Sequence, residues 1–249
     1  MDLDLAVCMG SGADKDMASA LASRLNAPLI KENGTGDGIT LMIDADGVSL
    51  VGYGLRYQGD FEQMIPRITK GRLYHEMLVH VAKPKGTGLI AVDAAAGMGE
   101  DALLLAACGY DVTLYEKNAV VAALLRDAMR RAEKNEVLKN IIGRMHLVDG
   151  DSIELIPKQI KRADLVYLDP MFPARKKSGL IGKKLQLIQK LEQPCGDEKA
   201  LLDAAMLAHP KKIIIKRPLK GAELAGVKPS YTVKGKAIRY DCLYFPDAD

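Results

Sequence analysis

The chain has 249 residues, 48% hydrophobic and 27% charged, with a net charge of +3 and no tryptophan. This composition supports one large packed domain, or one domain plus a small one, and excludes a disordered chain. No apolar run approaches the ~20 residues that cross a bilayer. The acidic start, with Asp2 and Asp4, argues against a signal peptide, and four scattered cysteines (Cys8, Cys108, Cys195, Cys242) without CxxC spacing read as reduced thiols, so a cytoplasmic protein is expected.

Residues 1–69 read as a small α/β subdomain. Met17 to Leu25 has the pattern of a short helix, and Asn33 to Gly38 is turn-rich. Ile39 to Ile43 and Gly47 to Val51 are β-like and joined by an Asp-Ala-Asp-Gly turn. The 70–249 stretch reads as a second domain. A helix is expected from Gly71 to Ala82, ended by Pro84 and Gly86. Strands are then expected at 89–93, 111–115, 144–149, 163–168 and 211–216, with helices at about 99–108, 118–134 and 197–208. Short apolar strands alternating with amphipathic helices predict a parallel sheet in an α/β sandwich. Tyr231 to Val233 and Ala237 to Phe245 read as a hairpin closing the sheet edge.

Two segments carry chemistry. In the first, the strand ending at Asp93 runs into Ala94-Ala95-Ala96-Gly97-Met98-Gly99-Glu100-Asp101 and a helix. Glycines let a backbone approach a ligand, and a helix start offers free N–H groups. A dinucleotide needs room for a pyrophosphate and favours a third glycine, where Ala102 stands; Glu100 and Asp101 would repel that anion. S-adenosylmethionine carries a sulfonium and an ammonium, for which acids are favourable neighbours. The next strand ends at Glu116, 23 residues after Asp93 and suited to ribose hydroxyls, and Lys117 follows it. The third ends at Asp149-Gly150-Asp151-Ser152, placed to meet an adenine amino group.

The second segment, Asp169-Pro170-Met171-Phe172, follows the fourth strand. It fits methyl transfer to an exocyclic amine. Such a nitrogen delocalises its lone pair into the ring, and oxygens accepting its N–H bonds favour a pyramidal nitrogen whose lone pair can face the methyl. Asp169 and the Pro170 carbonyl are suitable acceptors. Phe172 offers a stacking face for a flat base. These three are the candidate catalytic residues. No strong base is required, because the nitrogen becomes acidic as it is alkylated.

Residues 169–249 hold 16 basic and 9 acidic residues, against 5 and 10 in residues 1–69. Arg175, Lys176, Lys177, Lys183 and Lys184 follow the second segment, with Lys211, Lys212, Lys216 and Arg217 around the next strand. They suit RNA phosphates beside a pocket that takes a base out of its stack. Lys70-Gly71-Arg72 stands near the domain junction and reads as a linker, with a contact to cofactor or RNA as the alternative. The four histidines lack metal-ligand spacing, so no metal is expected.

The run from Asp93 to Asp101, then Glu116-Lys117-Asn118 with Val120 to Leu125, then Tyr167-Leu168-Asp169-Pro170-Met171-Phe172-Pro173, resembles the ribosomal RNA small-subunit methyltransferase J family. Asn33 to Gly38 and Lys216-Arg217-Pro218 are similar too. The resemblance implies a Rossmann-like class I methyltransferase sheet and S-adenosylmethionine-dependent methylation of a guanine N2 in 16S ribosomal RNA, alone or in the small subunit. It also implies cofactor contacts at Glu100, Asp101, Glu116, Lys117, Asp151, Ser152 and Asp169, which join Asp93, Gly97 and Gly99 from the residue reading. Three positions depart from the family's usual residues: Ala95 stands for threonine, Glu100 for arginine and Asp151 for serine. Alternatives from the residues are amino methylation of adenine in nucleic acid or of a protein glutamine, and a non-catalytic RNA-binding protein.

Overall fold

The computed structural model describes residues 5–31, 38–170, 187, 188, 191 and 196–245. Among these, the strands form two sheets.

The first sheet holds β1 (Leu5–Met9), β2 (Leu29–Lys31), β3 (Ile39–Asp44), β4 (Gly47–Gly52) and β5 (Leu55–Tyr57), in the order β2-β1-β3-β4-β5. Helix α1 (Lys15–Leu25) packs on it, capped by Asp14, whose carboxylate accepts from the Asp16 and Met17 amides. The expected helix and the β3–β4 hairpin are present; β1, β2 and β5 add to that reading. Ile39, Leu41, Ile43, Val48 and Leu50 share a core with Val120, Val121, Ala123 and Leu124, joined by Leu187, Ile188 and Leu191.

The second sheet holds β6 (Leu89–Asp93), β7 (Tyr110–Glu116), β8 (Met145–Asp149), β9 (Leu165–Leu168), β10 (Lys212–Pro218), β11 (Tyr231–Lys234) and β12 (Ile238–Tyr244). Their order is β11-β12-β10-β9-β6-β7-β8. Strands β6 to β10 are parallel, and β12 runs antiparallel to β10 and β11. The five expected strands and the closing hairpin therefore stand within about two residues of the sequence reading. The chain steps outward from β6 to β8, then returns to lay β9 on β6's other side. Ligands of open α/β sheets bind at such a reversal, outside the carboxyl ends of the strands.

Helices α2 (Ile65–Ile68), α3 (Met77–Ala82), α4 (Glu100–Ala107), α5 (Ala119–Ala132) and α6 (Lys139–Ile142) contribute to the core on one face. Helices α7 (Ser152–Gln159) and α8 (Glu198–Leu207) cover the other. The sequence reading omitted α7, which carries Pro157 within it. The single helix expected from Gly71 to Ala82 is not formed. Residues 70–72 are a turn, Leu73–His75 a 3-10 turn, and Glu76 is extended (φ −65, ψ 125) before α3 starts. Across this break the Arg67 guanidinium donates two bonds to the Glu76 carboxylate at 2.9 and 2.8 Å.

Candidate active site

Strand alternation decides which side chains meet, since successive residues face opposite sides of a sheet. In β10, Ile213 and Ile215 join the core beneath α7 and α8, whereas Ile214 faces α3 and α4. Lys216 has the parity of Ile214. Asp93, Tyr167 and Asp169 have the matching parity on β6 and β9. The register pairs Ile215 with Leu168, so Lys216 and Asp169 emerge side by side at the carboxyl edge. The N-terminus of α4 brings Asp101 over the same spot.

The result is a linked cluster. Lys216 Nζ lies 2.7 Å from Asp101 Oδ2 and 2.8 Å from Asp169 Oδ2. The Tyr167 hydroxyl donates to Asp101 Oδ2 at 2.6 Å, and its ring lies 6.4 Å from that of Tyr240. Asp93 is buried behind them, with Oδ1 accepting from the Ala95 amide at 3.1 Å. Burial pushes the Asp93 carboxyl up to about 8, and Asp101 and Asp169 add to the rise. Burial also raises Asp169, against the pull of Lys216. The two carboxylates hold Lys216 firmly protonated despite its burial.

The glycine turn forms the adjoining wall. Gly97 and Gly99 have φ of +53 and +75, a region that suits glycine. A Cβ at Gly99 would lie 2.8 Å from Leu125 Cδ1 and 3.2 Å from Phe61 Cζ. Glu116 closes the turn from β7, with Oε2 accepting from the Gly97 amide at 2.9 Å and Oε1 from the Asn118 amide at 2.7 Å. Burial raises its pKa, opposed by those amides. Beyond it, Lys117 reaches Asp151 at 2.5 Å, and Asp151 caps α7 by accepting from the Ile153 amide at 3.0 Å. Ser152 is buried at that helix start. Asp149, read from sequence as an adenine contact, is flanked by Arg126 at 2.5 Å and by Arg24 of α1.

The predicted site residues thus fall into two neighbouring groups. Asp93, Asp101 and Asp169 meet at the sheet reversal, with Pro170 buried beside them. Gly97, Glu116, Lys117, Asp151 and Ser152 continue along β7 and β8. Glu100 stands apart, its side chain 62% exposed and 3.8 Å from Arg67. Phe172, Arg175, Lys176, Lys177, Lys183 and Lys184 lie outside the described residues, as does most of the Asn33 to Gly38 turn.

Lys212, Lys216 and Arg217 do not extend a basic RNA surface. Lys216 belongs to the carboxylate cluster. Arg217 is 3% exposed and donates to Glu198 and the Ala222 carbonyl, and Lys212 Nζ donates to the Val81 carbonyl. Sequence reasoning also missed Tyr167 and Tyr240. Lys216 follows three isoleucines but stands beside Arg217 in a strand that also holds Lys212, so the sequence alone does not single it out.

A family model described as "Putative SAM-dependent methyltransferase" matches residues 56–246. The ribosomal RNA small subunit methyltransferase J of Thioalkalivibrio sulfidiphilus is 35% identical over 239 residues, spanning 91% of this chain and 92% of that protein. The chain belongs to the methyltransferase J family. The namesake of Alkalilimnicola ehrlichii is 36% identical over 90% of the chain and 89% of its own length. Among solved structures, the SAM-dependent methyltransferase NGO1261 from Neisseria gonorrhoeae superposes with a TM-score of 0.74 at 30% identity, covering 98% of this chain and 97% of that one. The α/β sheet described above is thus a methyltransferase J sheet, and its cofactor is S-adenosylmethionine.

The residues present fit that cofactor. A sulfonium and an ammonium need carboxylates, and Asp93, Asp101 and Asp169 converge at the reversal. Both Glu116 oxygens accept from backbone amides, and each keeps a lone pair for a ribose hydroxyl. The Gly99 position leaves no space for a larger residue on its core side.

Proposed function

We propose that this methyltransferase J chain transfers a methyl group to the exocyclic N2 of a guanine in 16S ribosomal RNA, acting in the cytoplasm. S-adenosylmethionine supplies, when bound, an electrophilic methyl on sulfur. Asp93, Gly97, Gly99, Asp101, Glu116, Lys117, Asp151, Ser152 and Asp169 are the residues proposed to surround it. Glu116 would take the ribose, and Asp93 and Asp101 would face the positive charge.

The observation that carries the reading is the placement of Asp169. It sits at the sheet reversal with one oxygen fixed by Lys216. The other oxygen and the Pro170 carbonyl would accept the two N–H bonds of a flat aromatic amine. Holding that nitrogen in line with the methyl is the main catalytic task. After the N–C bond forms and the S–C bond breaks, the extra proton on nitrogen leaves to the Asp169 carboxylate, which burial makes a better base, and then to water. Lys216 acts as a positioning residue that fixes Asp169. The names of the curated relatives support small-subunit ribosomal RNA as the substrate; Phe172 is proposed as the stacking partner of the base.

The test is transfer of labelled methyl to deproteinised 16S RNA. Wild-type protein is expected to label it. Asp169→Ala is expected to lose turnover while calorimetry still detects S-adenosylmethionine binding. Label in another substrate with none in this RNA would overturn the reading.

A further inference from the structure

The carboxyl edge of the sheet carries a second feature, on the face shared with the cluster. The turn at residues 70–75 exposes Lys70, Arg72 and Tyr74, with Tyr74 65% exposed. Leu73, between them, is buried and anchors the turn. The β11–β12 hairpin turn, more than 150 residues later in the chain, comes to the same place. A Cβ at Gly235 would lie 3.0 Å from Met77 Sδ at the start of α3. Exposed Lys234 and Lys236 flank that glycine. Exposed Lys220 follows β10 on the same edge, beside the Leu219 amide that donates to the Ala237 carbonyl at 3.3 Å.

Among the described residues, no ion pair engages Lys70, Arg72, Lys220, Lys234 or Lys236. Most carboxylates around them are already matched, exposed Glu223, three residues after Lys220, being the exception among the described residues. Arg67 takes Glu76 and lies 3.8 Å from Glu100, Lys216 takes Asp101 and Asp169, and Arg217 takes Glu198. The rim therefore presents positive charge with an exposed aromatic ring in its midst. Arg67 ties it to the first residue of α4, one position from Asp101.

We infer that this rim grips the single-stranded segment flanking the target base. The five cations hold its phosphates, and Tyr74 stacks on a neighbouring unpaired base. The inference rests on the RNA reading above and names the surface that reading leaves unassigned. A polyanion matches unpaired cations, and a π-face among them matches bases that have left a helix. The short Leu73–His75 turn fixes Tyr74 outward, so little ordering is needed on binding.

The experiment uses the full chain, a 16S RNA fragment that the wild-type protein methylates, and three variants. They are Tyr74→Ala, the pair Lys234→Glu with Lys236→Glu, and a charge-matched control, Lys85→Glu with Lys161→Glu, on exposed turns at the opposite edge of the sheet. Tyr74→Ala is expected to raise the KM for RNA roughly five- to a hundredfold, the range of one lost stacking contact. The hairpin pair is expected to raise it too, and to make the slope of log affinity against log salt shallower by about 0.7 per cation removed. S-adenosylmethionine affinity, by calorimetry, is expected to hold in all three, which also reports folding. Equal losses in the control pair, or unchanged RNA binding in the rim variants, would overturn the inference while leaving the RNA reading intact. Failure of the wild-type protein to methylate any 16S fragment would overturn the RNA reading itself, and this inference with it.

Discussion

Lys216 and Asp169 stand on adjacent parallel strands with 2.8 Å between ammonium and carboxylate, and the same ammonium holds Asp101 at 2.7 Å. One cation thus joins the acid at the start of α4 to the acid at the end of β9. The pair is partly buried, so removing one partner leaves the other poorly compensated. Lys216→Met is expected to lower turnover by about a hundredfold or more, the cost of misplacing a reacting group by about an ångström. Lys216→Arg is expected to restore part of it.

The same variant gives a pH signature. Burial raises Asp169, and Asp101 adds to that rise; Lys216 opposes both. Asp93, Tyr167 and Tyr240 also face this cluster. The reaction needs Asp169 ionised, so the acid limb of the pH–rate profile reports its protonation. In Lys216→Met that limb is expected to move to higher pH. In Lys216→Arg it is expected to stay near the wild-type position. A limb that does not move would show that Lys216 has no electrostatic hold on the reacting carboxylate.

Asp93 links pH to stability. Its carboxyl is pushed up to about 8, above the ordinary value of about 3.9. Between those values the folded chain keeps a proton that the unfolded chain releases, so this group lowers stability as pH rises from about 4 to about 8. Asp93→Asn keeps an oxygen for the Ala95 amide and removes the titration. Its unfolding free energy relative to wild type is expected to rise with pH across that window, by at most about 1.4 kcal/mol per unit. In the wild-type protein, cofactor affinity is expected to rise with pH over the same range, because a bound cation favours the ionised acid. Calorimetry and denaturant titration at several pH values check both.

Asp127 fastens the first sheet to α5. Its buried carboxylate accepts from the Val48 amide at 3.0 Å, Arg130 at 2.7 Å and Arg131 at 2.8 Å. Gly47, at φ +112, lies so close that a Cβ would sit 2.5 Å from Asp127 Oδ2. Asp127→Ala leaves a buried amide without its acceptor. It is expected to cost about 2–3 kcal/mol in urea unfolding. An unchanged midpoint would mean that the hairpin is held by its apolar contacts alone.

Gly99→Ala tests the turn. The added methyl meets Leu125 and Phe61 at a φ of +75. Loss of about 1–3 kcal/mol of stability is expected, with weaker S-adenosylmethionine binding.

Much of this is legible in the sequence. The short, mostly apolar segments ending at Asp93, Glu116, Asp149 and Asp169, with helical patterns between them, placed four parallel strands. Residues at strand ends could be assigned to one edge for the same reason. Side-chain partners were less accessible. Lys216 reads as one more lysine until the register with β9 and the parity of Ile214 turn it toward Asp101. Arg217 likewise needed Glu198, 19 residues earlier. Helix α7 was hidden by Pro157, and no proline or glycine marks the break at Glu76. Tyr74 and Lys234 to Lys236 carry no local signal of their proximity, which arises only from the antiparallel return of β12.

The most direct measurement is mass spectrometry of nucleosides from small-subunit RNA of cells lacking this protein, before and after treatment with the purified chain and S-adenosylmethionine. The expected result is a single N2-methylguanosine, missing from the untreated RNA, restored by the wild-type chain and not by Asp169→Ala. Restoration of N6-methyladenosine instead, or RNA unchanged by the loss of the protein, would contradict the assignment of guanine N2 as the acceptor.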